Sequence, residues 1–410
     1  MIAPMASFPD LVQRLCSLPY AAPVGAVVPH AWIVGGAVRD ALLGGVPEDL
    51  DLVVEGDAVE AAQKLAAALD GELTVHDRFG TATVIGGGHV YDLASARAET
   101  YARPGALPDV RPGTLEEDLL RRDFTVNAIA ASLDGRVAAA PHAFEDLDGR
   151  VLRVLHDASF LDDPTRLLRL VRYATRLRFG VEPGTEALAR AAVATGALAT
   201  ATPTRVGGEL RLLLREPSAA RALAWVAAWE GAPLGIALGF DAAVAERALT
   251  LLPPDGRRDL LLLGSACRLV AAASVKAWSD ALGFPGRERD VVVACADAQG
   301  IERRLAAAVR PSEIAAVVRG VAVEAVALAG ALGAEPLAPA GGQRAEPVAR
   351  AWIDDLRHVT LAIDGDDLLA AGVPQGEAVG RGLAAALRAR LDGDAPDRAT
   401  QLAIALAAAP

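Results

Sequence analysis

Residues 35–56, "GGAVRDALLGGVPEDLDLVVEG", set two glycines behind an apolar run, then a short helical pattern, then Asp49 and Asp51 inside an apolar strand pattern. Side chains alternate along a strand, so the two carboxylates point to one side. Held that close they repel unless they are protonated or share a cation. A hard divalent ion such as Mg2+ resolves this, taking oxygen from one or two carboxylates and the rest from substrate phosphates. Gly35 and Gly36 let the backbone approach a ligand closely, and the N–H groups of the helix starting there suit an anion. Arg39 sits one turn into that helix. A phosphate cradle joined to a metal-binding Asp-x-Asp is what phosphoryl or nucleotidyl transfer requires. An acidic turn before a strand would leave the same Asp-x-Asp; the glycine pair and Arg39 at this spacing favour the metal. Asp92, in "VYDLAS", lies on a later strand and either completes the metal site or is a solvated strand end.

These residues need a sheet to hold them. Within residues 1–150, segments 31–34, 49–56, 81–86, 89–94 and 125–133 have strand patterns, and 58–71 has helical spacing with Gly71 as its C-cap. The short "GGG" link between 81–86 and 89–94 predicts a hairpin, hence a mixed sheet. The segment "SARAETYARPGALPDVRPG" has no period and is expected to be a loop. Beyond about residue 155 the strand patterns fade into Ala/Leu/Arg helices. They are broken at 182–185, 201–204, 215–218, 251–256, 283–286, 337–342 and 393–397. An α+β head on an all-helical remainder follows.

Two further blocks carry chemistry. "TLEEDLLRRDFTVNAIA" opens with Thr114 and Glu117 at capping-box spacing, which predicts a short helix bearing Arg121 and Arg122. Arg122 suits the neutralisation of triphosphate charge and Asp123 a hydrogen bond from a ribose hydroxyl, whereas Arg121 reads as a solvated helix end. In "DASFLDDPTRLLRLVRYATRLRFG", Asp163 precedes Pro164 as an N-cap, with Pro at the first helical position. At roughly 100° per residue, Arg169, Arg172 and Arg176 share one face, Arg166 flanks it, and Leu167, Leu170, Val171 and Ala174 pack inward. An arginine row standing alone is an ordinary solvated face.

Together these strings resemble the class II tRNA nucleotidyltransferase (CCA-adding enzyme) and bacterial poly(A) polymerase family. The first matches its G-G-x-V-R-D-x-L-L-G…D-x-D signature, the second its L-x-x-D-L-x-R-R-D-F-T-x-N-A-x-A motif, the third its E-D-P-x-R-x-L-R-x-x-R-F motif. Asp162 replaces the usual Glu and Tyr173 the common Phe. "TPTRVGGELRLLLREP" is similar to the segment in which an Arg and a Glu brace the neck helix, and beyond about residue 217 no residue-level match remains. The resemblance implies a polymerase-beta-like nucleotidyltransferase head (1–150), a helical neck with the nucleotide-recognition motif (151–216), and a tRNA-binding body and tail (217–410). It further implies that Gly36 and Arg39 contact the nucleotide and that Asp49 and Asp51 hold Mg2+ and do the catalysis. By the same carry-over, Arg122 binds nucleotide, Asp163 and Arg166 read the base, and Arg169 and Arg172 bind nucleotide or phosphate. The implied activity extends the 3′ acceptor end of tRNA with C, A or both from CTP and ATP. In that family the loop near residue 100 is needed for adding A, so its full length here favours a CCA- or A-adding enzyme. An A-specialist would need a separate CC-adding enzyme as partner.

Bulk properties fit. The 410 residues are too many for one ordinary core. Hydrophobic residues make up 52% but aromatics only 4%, so Ala and Leu dominate and favour helix. No apolar run is long enough for a bilayer, and the start of the chain has no signal-peptide pattern, so a cytoplasmic protein without membrane attachment is expected. A net charge of −12 argues against general coating of nucleic acid, though not against a local basic groove. Cys16, Cys267 and Cys295 form neither a disulfide framework nor a zinc cluster and read as small apolar fillers. The six histidines are scattered, so no His–Asp phosphohydrolase domain is expected.

Overall fold

The computed structural model describes residues 8–18, 21–47, 50–76, 80–333 and 344–409. Asp49 and the break at 337–342 lie outside the described residues. The chain divides into two units, Met1–Val206 and Gly207–Pro410.

The first unit is built on a seven-stranded sheet. Its strands are β1 (Trp32–Val34), β2 (Leu50–Val54), β3 (Glu72–His76), β4 (Thr81–Gly86), β5 (His89–Ser95), then β6 (Arg97–Thr100) and β7 (Asp109–Pro112) as a separate hairpin, then β8 (Ile129–Ser132) and β9 (Val137–Ala139). The sheet order is β3-β4-β5-β2-β1-β8-β9. Only β2 and β5 pair in parallel, so the sheet is mixed, as the hairpin pattern implies. Helices α1 (Phe8–Cys16), α2 (Ala21–Val27), α3 (Gly36–Leu42) and α4 (Ala58–Leu69) come from the first 70 residues; α5 (Leu115–Leu120) and α6 (Ala143–Asp148) follow. The alternation of the strands explains the layers. Ile33, Leu50, Leu52, Val84, Tyr91 and Leu93 form one buried face, against which α4 packs with Ala58, Ala62 and Leu65. On the opposite face, Leu115 and Leu119 of α5 cover Trp32, Val34 and Val53. Toward β4 and β5 that second face is not covered by α5, and Asp51, Asp92 and Thr83 stand there in register across three strands.

Three sequence expectations change. The presumed loop at 95–113 contains the β6–β7 hairpin, because Arg97, Ala98, Glu99 and Thr100 pair with Pro112, Arg111, Val110 and Asp109. The strand expected over 125–133 begins only at Ile129, after a 3-10 turn at Thr125–Asn127. The left-handed residue ending α4 is Asp70, at φ 48°, not Gly71. Gly71 is required for closeness instead, since a Cβ there would lie 2.6 Å from the Ile85 carbonyl oxygen.

After these come α7 (Ser159–Asp162) and α8 (Arg166–Leu177). Leu167, Leu170, Val171 and Ala174 of α8 are buried, as its periodicity requires. The helix starts at Arg166 rather than at Pro164, yet Asp163 still acts as a cap by accepting the Thr165 N–H at 3.0 Å. Among its described residues the second unit's regular elements are all helices, opening at or just after the Pro/Gly breaks, as at Gly286–Ala296 and Arg398–Ala408. Its core is Ala- and Leu-rich, running through Leu261, Cys295, Ala325 to Ala329 and Ala349. Cys267 and Cys295 are buried fillers, and burial pushes the Cys267 thiol up to about 12, whereas Cys16 is exposed and departs from that reading. No described helix is long and apolar enough to cross a membrane.

Because the obstacle at Gly71 is backbone, Gly71→Ala is expected to destabilise the first unit by about 1–3 kcal/mol, measured by urea unfolding. A variant as stable as the parent would refute the close-approach account.

Candidate active site

The chemistry-bearing residues converge on one cavity of about 410 Å³ in the first unit, lined by Gly36, Asp51, Arg122, Asp123, Asp163, Arg166 and Arg169 among others. Each wall has a local cause. Gly35, at φ 67°, turns the chain from β1 into α3, and a Cβ there would stand 2.9 Å from Arg122 Nη1. The capping box of Thr114 and Glu117 is present and starts α5. Asp118, completely buried on α5, then holds Arg121 at 2.6 Å and Arg122 at 2.9 Å, one turn on. Burial pushes the Asp118 carboxyl up, but the two guanidinium groups outweigh it and hold it below its ordinary value. Arg122 Nε is buried and makes no hydrogen bond to the described protein, which fits a group awaiting an anion.

Asp51 and Asp92 are cross-strand partners on β2 and β5. Neighbouring strands run about 5 Å apart, so two carboxylates on the same face repel unless a cation sits between them. The donor set is oxygen only, which suits Mg2+ rather than a softer metal. Among the described residues no group of three or more potential ligands forms a closed metal cage.

The arginine helix is anchored to the head through Asp123. Its Oδ1 accepts from the Phe124 N–H at 2.8 Å and from Asn127 Nδ2 at 2.9 Å, and its Oδ2 accepts from Arg169 Nε at 2.9 Å and Nη2 at 2.7 Å. A carboxylate has about four acceptor sites, and all four are filled. Without a ligand, Asp123 thus positions Arg169 and Asn127 while lining the cavity. Burial raises the Asp123 carboxyl, but Arg169 and Asn127 outweigh it and set it at about 2. Arg39 is not on the cavity wall. It is 2% exposed and bonded to Asn127 at 2.6 Å and to Asp40 at 2.8 Å, so it supports the wall from behind. Arg172 is also buried, with its guanidinium 4.7 Å from the Tyr173 ring centre.

At the far wall, Asp163 Oδ1 accepts from Thr165 and from Arg205 at 2.8 Å. Arg166 donates to Ser159 Oγ at 2.7 Å and to the Arg121 carbonyl at 2.6 Å, which leaves three of its five N–H groups. The β6–β7 turn closes this end with Tyr101 and Pro108. Its Gly105, at φ 70°, donates to the Leu161 carbonyl at 2.9 Å and accepts from Arg205 at 3.2 Å. Tyr101 donates to Glu99 at 2.9 Å, and burial together with Glu99 raises its phenol far above the ordinary value, so it remains a hydroxyl.

Several contributors escaped the sequence reading. Arg121, taken for a solvated helix end, lines the cavity and pairs with Asp118 and Glu99. Tyr173 is surrounded by Arg39, Arg169 and Arg172 and accepts from Arg169 at 3.3 Å, so the Tyr-for-Phe departure was itself the signal. Asp118 had a signal too, its i+3 and i+4 spacing to the two arginines. Asn127 and Arg205 stand inside the matched motif strings, but which side chains they hold could not be read there, because their partners are distant in sequence.

Residues 31–153 match the Poly A polymerase head domain. The A-adding tRNA nucleotidyltransferase of Halalkalibacterium halodurans is 45% identical over 46% of this chain and 45% of its own length. The enzyme of that name from Geobacter sulfurreducens is 33% identical over 92% of this chain and 44% of its own length. The CC-adding tRNA nucleotidyltransferase of Deinococcus radiodurans is 44% identical over 48% of this chain and 53% of its own length. The chain thus spans about half the length, or less, of these curated relatives. A solved CCA-adding enzyme in an apo form superposes with a TM-score of 0.80 at 27% identity, covering 99% of both chains.

The Asp123 carboxylate is depressed in the folded state, so its contribution is complete above the unfolded value near 4 and is lost as pH falls through about 2. Asp123→Asn is expected to cost on the order of 2 kcal/mol at pH 7, with the gap to wild type shrinking to about half by pH 3. Denaturant unfolding at the two pH values checks this; a gap that does not change with pH would refute the ion-pair account.

Proposed function

We propose that this chain, whose residues 31–153 match the Poly A polymerase head domain, extends the 3′ end of tRNA with C, A or both, from CTP and ATP, without a nucleic-acid template. The observation that carries this is the single cavity shared by Asp51, Arg122, Arg169 and the Asp163–Arg166 pair. Metal, phosphate and base functions have separate walls there. The terminal 3′-hydroxyl of the RNA attacks the α-phosphorus, the bond to the bridging oxygen of the β-phosphate breaks, and pyrophosphate leaves.

Asp51 and Asp49 would hold Mg2+, with Asp92 the cross-strand partner of Asp51; a metal there would supply Lewis-acid stabilisation of the entering and leaving oxygens. Arg122, oriented by Asp118, takes up negative charge on the triphosphate, and Gly35 leaves room for its guanidinium. Arg169, fixed by Asp123 and Tyr173, adds a second cation on the same wall. At the far wall a carboxylate acceptor stands beside a guanidinium donor. On the Watson–Crick edge C and A each present an exocyclic amine next to a ring nitrogen acceptor, and U and G do not. Asp163 with Arg166 matches that shared edge, which accounts for a choice of C and A over the other two bases. Arg205 holds Asp163 in place through Oδ1 at 2.8 Å.

Relatives of this chain bear A-adding, CC-adding and CCA-adding names. The test is therefore nucleotide addition to three tRNA transcripts, ending at the discriminator base, after one C, and after CC. Each receives Mg2+ with CTP, ATP or both, and products are resolved at single-nucleotide length. Stepwise CCA on the shortest transcript marks one complete enzyme; A added only after CC marks a specialist that depends on a CC-adding partner. Asp51→Ala is expected to abolish transfer with thermal unfolding unchanged. Wild-type turnover in that variant, or long A tails on unrelated RNA, would defeat the proposal.

A further inference from the structure

Tyr173 stands on the wall of the cavity, one turn along α8 from Arg169. Resting on the nucleotidyl-transfer reading above, we infer that the Tyr173 hydroxyl donates a hydrogen bond to the triphosphate of the incoming nucleotide, as a neutral ligand among the arginines.

The first argument is the direction of the bond that the hydroxyl already makes. Tyr173 Oη lies 3.3 Å from Arg169 Nη2. A guanidinium only donates, so the phenol oxygen accepts and keeps its own proton to give elsewhere. Among the described residues no acceptor takes that proton. A hydroxyl in a wet cavity is ordinarily solvated, and an open donor alone would mean nothing; its surroundings decide.

The second argument is that neither the ring nor Arg169 needs the hydroxyl. The guanidinium groups of Arg39, Arg169 and Arg172 lie 5.5, 5.4 and 4.7 Å from the ring centre. They are drawn to its π-face, which a Phe ring also offers. Asp123 already holds Arg169 through Nε at 2.9 Å and Nη2 at 2.7 Å, and the contact to Tyr173 is longer than either. What the hydroxyl adds is the proton it presents to the cavity.

The third argument is position. The Tyr173 ring packs edge-on against the fully buried Phe124, with centres 6.0 Å apart and planes at 84°, so it is fixed in place. Arg39, beside the same ring, has its Nη2 3.5 Å from where a Cβ on Gly36 would stand. Tyr173 therefore belongs to the end of the cavity formed by the glycine turn and α3, the end that suits the triphosphate. Asp163 and Arg166 act on Tyr101 instead, at the far wall. Accepting from a guanidinium polarises the Tyr173 O–H bond and makes it a stronger donor. An anionic acceptor suits such a donor, and Asp123, which shares Arg169 with it, has its acceptor sites filled.

The experiment measures binding without RNA, so it does not require turnover. The full chain is titrated calorimetrically with ATP and Mg2+, and that ATP is then displaced with inorganic tripolyphosphate, which has neither ribose nor base. Tyr173→Phe keeps the ring and is expected to bind both about tenfold more weakly, the loss of one hydrogen bond to a charged acceptor, with thermal unfolding unchanged. Replacing Tyr173 by 3-fluorotyrosine, at a pH where that phenol stays protonated, makes the hydroxyl a better donor and a poorer acceptor. The fluorinated protein is expected to bind both ligands more tightly than wild type. Weaker binding there would mean that the hydroxyl serves only to accept from Arg169, and overturns the inference. A Tyr173→Phe variant that binds tripolyphosphate as wild type does also overturns it, while leaving nucleotidyl transfer standing. A protein that shows the expected shifts, yet adds no nucleotide to any of the three tRNA transcripts, upholds the phosphate contact and overturns the transfer reading.

Discussion

The buried Asp123 carboxylate is the constraint on which the rest of the first unit depends. It is the point where the turn after α5 meets the arginine helix, and all of its acceptor sites are filled from both sides. A desolvated charge of this kind is tolerated only when paired, and removing any one partner leaves the others exposed to that cost. The arrangement therefore fixes Arg169, Asn127 and, through Asn127, Arg39. Tyr173 then fills the space among three guanidinium groups, its ring face and its hydroxyl both engaged. The cation-rich wall is rigid because one anion organises it.

A similar economy governs Asp118, which holds two consecutive arginines from one buried position. Like-charged neighbours such as Arg121 and Arg122 would repel in isolation; a shared carboxylate inside α5 lets both line the cavity. Asp51 and Asp92 show the converse case. They are cross-strand partners on β2 and β5, where two carboxylates on one face repel unless a cation lies near. A smaller cavity lined by His76, Thr83 and Asp92 shares Asp51, Arg121 and Arg122 with the larger one, which adds Arg97, Arg166, Arg169 and Arg205.

Much of the architecture was legible in local pattern. The strands β1, β2, β4 and β5, the capping box of α5, the buried stripe of α8 and the Pro/Gly breaks between helices all depend on neighbours within a few residues. What failed was also local in appearance. The segment after β5 has no hydrophobic period because β7 is exposed throughout, so its pairing with β6 leaves no apolar trace. Gly71 looked like a helix cap because it follows a helix, whereas its constraint comes from Ile85 on another strand.

The sequence by itself determined which residue types were available and in what order: two aspartates behind a glycine turn, paired arginines after a capped helix, and an Asp-Pro-x-Arg start to an arginine helix. Spacing along the chain carries that information, since α and β periods are properties of the local backbone. Only the tertiary structure decided which of these side chains reach the cavity. It placed Arg39 and Arg172 behind the wall, brought Arg121 onto it, and filled every acceptor of Asp123. It also set Arg205 against Asp163 and His76 against Thr83. The physical reason is that a side chain's role depends on which of its hydrogen-bonding sites remain open, and those sites are filled by partners distant in sequence.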